Sequence, residues 1–213
     1  MIKVNNKRFI SFEGIDFSGK TTQIDLLQKF LEEQNFKVFV LREPGGTSIS
    51  EKIRKVLLDV KNAQMSSRCE MLLYSAARTQ LVYEKIIPLL NEGYYIIADR
   101  YVDSTTAYQG YGRGLDPETV SIINETATFG LLPATTFFLD IKPETAEQRR
   151  LNNSLDADRL ESAGREFFKR VYDGYHEIAA KAPDRFEVID AENTVEEIQR
   201  RIKKIIVSKT MDG

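Results

Sequence analysis

The sequence holds one cysteine, Cys69, and one histidine, His176. That scarcity excludes a disulfide framework, a zinc cluster and a Ser-His-Asp triad built around a spare histidine. No apolar run approaches the roughly 18 residues of a membrane helix. The opening MIKVNNKRF lacks the apolar centre of a secretion signal, so a cytosolic protein is expected. An excess of one charge is missing too: 30 lysines and arginines stand against 32 aspartates and glutamates, a formal net charge of −2. Nothing in that balance points to a nucleic-acid or membrane partner, so any anionic ligand must be met by a local patch. Repeats and low-complexity linkers are absent.

What is present is a chain of 213 residues, 42% hydrophobic and 29% charged, which suits one domain with a sizeable core. Five short apolar runs predict strands at Arg8–Glu13, Phe36–Leu41, Tyr94–Asp99, Thr136–Asp140 and Phe186–Ile189. Most are apolar on consecutive positions, as in strands covered on both faces. Helical patterns lie between them: Leu27, Phe30 and Leu31; the stripe Ile49, Ile53, Val56 and Leu57; and Val195, Ile198, Ile202, Ile205 and Ile206 near the end. The alternation predicts a three-layer α/β fold over residues 1–213, with a five-stranded parallel sheet flanked by helices. The polar stretch Arg149–Arg165, centred on NNSLDAD, interrupts it and is the candidate for a short mobile lid, about 143–165. Ligands in such sheets bind beyond the carboxyl ends of the strands.

The first such end carries the strongest motif. Gly14-Ile15-Asp16-Phe17-Ser18-Gly19-Lys20-Thr21 fits G-x-x-x-x-G-K-[ST], after a predicted strand and before a predicted helix, with Thr22 following. Glycines let several N–H groups turn inward around a phosphate, and the helix aims its positive end at the same anion. Lys20 supplies a charge for the outer phosphates, and the Thr21 hydroxyl can ligate Mg²⁺. This predicts a nucleoside triphosphate site, with ATP and Mg²⁺ as its ligands. No N-K-x-D guanine signature is present, and motors and helicases need longer chains. A small-molecule kinase remains, which requires a second anion site facing the first.

Candidates for that second site follow other strands. Asp99 closes an apolar run and suits a partner for Mg²⁺ or its waters, and Arg100 could bridge donor and acceptor phosphates. Alone, the pair also reads as a strand-end salt bridge. Arg42-Glu43-Pro44-Gly45-Gly46-Thr47 reads alone as a tight turn, and Arg54 behind it reads equally as a phosphate ligand or a solvated arginine. Tyr74 and Arg78 share one helix face, where one could stack on a base and the other donate to its carbonyl edge. In isolation a core tyrosine and a surface arginine is the simpler reading.

Together these stretches resemble the thymidylate kinase family. The match rests on Phe12 to Asp16 with the loop, Arg42 to Thr47, Tyr74 to Arg78, Asp99-Arg100-Tyr101, Ala107-Tyr108-Gln109-Gly110 and Asp158-Arg159-Leu160-Glu161, in family order across nearly the whole chain. The resemblance implies transfer of the ATP γ-phosphoryl to dTMP, giving dTDP. It implies that Asp16 contacts the deoxyribose 3′-hydroxyl, Tyr74 stacks on thymine and Arg78 reaches its O4. Arg54 and Arg100 would hold the dTMP phosphate, with Arg100 also touching the transferred group. Glu43 and Pro44 would belong to the acceptor pocket, Thr105 and Gln109 would line the base, and Tyr108 would lie under the sugar. Family members are usually homodimers. The phosphate loop here carries no arginine, so the resemblance assigns a catalytic arginine to the lid, Arg149 first and Arg150 second, with Arg159 as a lid anchor. Two departures stand out: the lid has few arginines, and Phe17 occupies a position where glycine is common. Phe17 would pack under the lid or against a neighbouring loop, or be tolerated surface variation. The competing functions are another deoxynucleotide or deoxynucleoside kinase on the same scaffold, and a non-catalytic ATP-binding protein.

Overall fold

The computed structural model describes residues 4–152, 159–160 and 164–211. The centre of the predicted lid, 153–158 and 161–163, lies outside the described residues, and with it Asp158 and Glu161 of the matched motif.

The chain runs β1 (Phe9–Glu13), α1 (Lys20–Glu33), β2 (Val38–Arg42), α2 (Ser48–Leu58), α3 (Ser67–Leu81) and α4 (Ile87–Asn91). It continues through β3 (Tyr95–Asp99), α5 (Val102–Thr105), α6 (Pro117–Thr128), β4 (Thr135–Asp140), α7 (Pro143–Asn152), α8 (Arg165–Lys181), β5 (Phe186–Asp190) and α9 (Val195–Ile206). All five predicted strands are present. They form one parallel sheet in the order β2-β3-β1-β4-β5. Parallel neighbours need crossovers, which the helices supply.

Alternate residues of the strands face different layers, which explains why the runs are apolar throughout. Ile10, Phe12, Ile97, Phe137 and Leu139 pack with Leu27 and Leu31 of α1 and with α8 and α9. Phe9, Ile96 and Ala98 pack with Leu81, Val82, Ile86 and Leu90 on the opposite face. Each of the larger of these buried side chains contributes about 1.5–3 kcal/mol relative to exposure. Side-chain caps start four of the helices, Thr47 for α2, Ser66 for α3, Asp116 for α6, and Thr194 with Glu197 for α9, whereas α1 and α8 begin at glycines without one.

One apolar stripe does not go where its spacing predicts. On α2 only Ser50 and Leu57 are buried, while Ile49 is 50% and Val56 45% exposed. The helix meets the body of the protein through the small Ser50, whose hydroxyl donates to Ala77 O on α3 at 2.7 Å. Half of the stripe, Ile49 and Val56, therefore faces outward, while Ile53 is half-buried and Leu57 buried.

Candidate active site

β1 ends at Glu13, and the chain turns through Gly14 at φ 134°. A Cβ there would lie 2.7 Å from Leu139 O, so the turn needs glycine. Gly19, at φ 90°, leads into α1, whose N-terminus faces back into the loop. Lys20 Nζ donates to Gly14 O at 3.1 Å and Ile15 O at 2.9 Å. Burial and the neighbouring Arg100 cation lower its pKa to about 8. Phe17 sits at φ 63°, a left-handed conformation that glycine adopts more cheaply. The residue borders both the main cleft and a side cavity of about 130 Å³ lined also by Pro143, Ala146 and Phe168, where α7 and α8 meet the loop.

Sheet register sets the second element. Phe12 of β1 pairs with Asp99 of β3, and Arg100 N donates to Phe12 O at 3.0 Å. Arg100 therefore emerges beside the phosphate loop. Its own backbone is left-handed, φ 72°. The guanidinium donates to Gly14 O at 2.8 Å and to Asp16 Oδ1 at 2.6 Å, and stands 5.1 Å from the Tyr108 ring centre. Burial alone would raise the Asp16 carboxyl, but Arg100 and Lys20 outweigh it and hold it below its usual value.

Beneath Arg100 lies a group to which the sequence reading assigned no role. Glu13 is fully buried and accepts from Tyr101 N at 2.7 Å, Ser104 Oγ at 2.6 Å and Tyr175 OH at 2.9 Å. Burial, and then Asp103, push its carboxyl up to about 7. Ser104 Oγ and Tyr175 OH are 3.3 and 3.4 Å from Arg100 NH1, so this node also supports the guanidinium. A carboxylate closing an apolar strand was the available signal; Tyr175 on α8 offered none.

The acceptor side is built on α3. Arg78 is only 2% exposed and spans Glu43 Oε2 at 2.7 Å, Thr105 Oγ1 at 2.9 Å and Tyr101 O at 3.1 Å. This resolves it as a buried, anchored cation rather than a surface arginine. Glu43 borders the cleft and meets Arg78 through Oε2 alone, while its Oε1 is buried without a partner. Arg54 NH1 donates to Pro44 O at 2.8 Å. Gln109 Nε2 donates to Glu70 Oε1 at 3.0 Å.

One cleft of about 700 Å³ collects these groups. Asp16 to Thr22, Glu43, Pro44, Arg54, Tyr74, Arg78, Asp99, Arg100, Thr105, Tyr108, Gln109 and Arg149 all border it. Gly14 and Ile15 do not; they shape the turn behind it. The arginines of the predicted lid segment separate by position. Arg149 borders the cleft and donates to Phe17 O at 3.3 Å and Ala191 O at 2.8 Å. Arg150 borders the side cavity instead. Arg159 donates to Leu57 O at 2.7 Å and pairs with Glu70 Oε2 at 2.6 Å. Arg165 pairs with Glu147 at an exposed position.

Thr21 and Asp99 border the same cleft, offering a hydroxyl and a carboxylate. Among the described residues no group of three His, Cys, Asp or Glu could hold a metal by itself. A hard cation that keeps waters and takes phosphate oxygens fits that sparse donor set, which is the habit of Mg²⁺.

A family model described as thymidylate kinase matches residues 12–202. The chain belongs to the thymidylate kinase family. It is 47% identical to a thymidylate kinase of Thermoanaerobacter sp. strain X514, over 93% of this chain and 97% of that one. It is 48% identical to the thymidylate kinase of Symbiobacterium thermophilum, over 93% and 92%. The crystal structure of thymidylate kinase from Ehrlichia chaffeensis superposes with a TM-score of 0.74 at 35% identity, covering 93% of this chain and 97% of that one. Thymidylate kinase membership makes the chain a phosphotransferase of the nucleoside monophosphate kinase kind, acting on dTMP. Among the described residues, no helix is long and apolar enough to cross a membrane.

Proposed function

We propose that the cleft aligns ATP on the phosphate loop with dTMP between α2, α3 and the segment after β3, and passes the γ-phosphoryl directly across. The observation that carries this is the placement of Arg100. Its guanidinium is clasped to Gly14 O and Asp16 on the loop, and it borders the same cleft as Arg54 and Arg78. A dTMP phosphate oxygen is already a competent nucleophile, so no strong general base is needed and catalysis is alignment plus charge stabilisation. Lys20 and Arg100 offset repulsion between the two polyanions, and Arg149 holds the donor side. Mg²⁺, when bound by Thr21 and Asp99, supplies neutralising charge at the phosphates.

For the acceptor, Tyr74 stacks on the base, and Arg78 and Gln109 read its edge beside Thr105. Asp16 takes the 3′-hydroxyl, and Tyr108 closes the 2′ face of the sugar. The Tyr108 hydroxyl lies 3.4 Å from Asp16 Oδ2, which supports that arrangement. The enzyme works as a cytoplasmic homodimer with no nucleic-acid partner. α2 packs on α3 and α3 on α6, each carries exposed apolar side chains (Ile49 and Val56, Leu72, Ile122), and a second copy covers them.

Coupled ADP release with dTMP, dUMP, thymidine and UMP in parallel tests the reading. dTMP is expected to be the best acceptor. One methyl group is worth about 1–3 kcal/mol, so dUMP should be roughly 10–200-fold poorer. Equal efficiency for dUMP, or a preference for thymidine, would overturn the assigned pocket.

A further inference from the structure

Glu70 lies in the first turn of α3 and is 1% exposed. Donors surround it. Arg113 reaches it with Nε at 3.2 Å and NH2 at 3.1 Å, Arg159 NH1 at 2.6 Å and Gln109 Nε2 at 3.0 Å. Burial pulls its carboxyl upward, but Arg113, Gln109 and Arg159 outweigh that and hold it below its usual value. It is therefore a carboxylate at neutral pH, and a carboxylate only accepts.

That requirement fixes the neighbouring amide. Gln109 must turn its NH₂ toward Glu70, which points its Oε1 the other way. Gln109 borders the cleft, and among the described residues nothing donates to its Oε1. The oxygen is also not one of the buried, unpartnered atoms, so it keeps accessible surface. Arg78 uses Nε, NH1 and NH2 on Glu43, Thr105 and Tyr101, leaving one N–H on each terminal nitrogen. The cleft thus presents anchored donors and an oriented acceptor.

We propose that Glu70 is a positioning residue for base selection. By orienting the Gln109 amide it makes the pocket take a pyrimidine with an oxygen at C4 and a hydrogen on N3, and reject a 4-aminopyrimidine. The inference rests on the placement of the base at Tyr74 and Arg78 given above. A 4-aminopyrimidine turns an NH₂ toward the Arg78 donors and a lone pair toward Gln109 Oε1, leaving buried groups unpaired. With Glu70 replaced by an amide, Gln109 can flip and offer its NH₂ to that lone pair.

The test compares dTMP with 5-methyl-dCMP, which keeps the methyl group and changes only the edge. In Glu70→Gln the ratio of kcat/KM values for the two is expected to fall by about tenfold or more. Arg159→Ala, which removes another partner of Glu70, should lower both substrates together and keep the ratio. An unchanged ratio in folded Glu70→Gln, while Gln109→Met loses it, overturns the proposal and leaves the pocket standing. An unchanged ratio in Gln109→Met overturns the base placement itself. Should Glu70→Gln fail to fold, the wild-type protein decides by NMR. The Gln109 side-chain amide signal, assigned by its loss in Gln109→Met, should exchange slowly with solvent, and exchange at the rate of a free amide overturns the proposal.

Discussion

Arg100 NH2 stands 2.6 Å from Asp16 Oδ1, so a single ion pair joins the edge of β3 to the phosphate loop. The partners are 84 positions apart in the chain, yet the Phe12–Asp99 register makes them neighbours. In Arg100→Ala, turnover is expected to drop by about 10²–10³, the cost of removing one preorganised transition-state donor. ATP binding should survive, since Lys20 and the loop amides remain. Steady-state kinetics with a nucleotide-binding titration checks both parts, and near-normal turnover would remove Arg100 from the mechanism.

The lid arginines should separate by the cavity each one borders. Arg149→Ala is expected to cost about 10²–10³ in kcat/KM. Arg150→Ala, bordering the side cavity, should stay within severalfold of wild type. The reverse order would show that the donor-side arginine has been misassigned.

Glu13 makes stability depend on pH. Its folded pKa of about 7 lies above the ordinary 4.5. Below pH 4.5 both folded and unfolded states hold the proton, and nothing is lost. Between 4.5 and 7 the unfolded chain ionises first, so this contribution falls as pH rises and is fully lost above the folded pKa. The Ser104 hydroxyl favours the carboxylate, so Ser104→Ala should push the Glu13 pKa higher still. The substitution is therefore expected to cost more at pH 8 than at pH 5, read by urea unfolding at both. Equal costs would contradict the assigned role of Glu13.

The apolar face of α2, α3 and α6 predicts association. Leu72, 54% exposed, lies on the middle one of these helices. Sedimentation equilibrium should find wild type dimeric at micromolar concentration. Leu72→Lys should weaken the dimer by about tenfold or more, as expected for a charge placed in an apolar contact. A monomeric wild type would sink the reading.

The sheet, the phosphate loop and the Arg100 edge were legible because local patterns encode them: apolar runs, glycine spacing, and charged residues where strands stop. The α2 stripe was legible as apolar but not as exposed. Periodicity shows that one helix face avoids water, and says nothing about whether its own chain or another covers it. Arg78 alone read as a surface arginine because its partners Glu43, Tyr101 and Thr105 are 23 to 35 positions away. Of the Glu13 node only the carboxylate closing an apolar strand was legible, because Ser104 and Tyr175 stand 91 and 162 positions from it. Only folding brings such donors together.

The left-handed backbone at Arg100 narrows what can stand there. Glycine would relax the turn but bring no charge, and lysine would inherit the awkward dihedral without the planar fork that grips Gly14 and Asp16 together. Asparagine tolerates the conformation and reaches neither partner. Each of these three exchanges forfeits either the comfortable chain path or the two-pronged grasp.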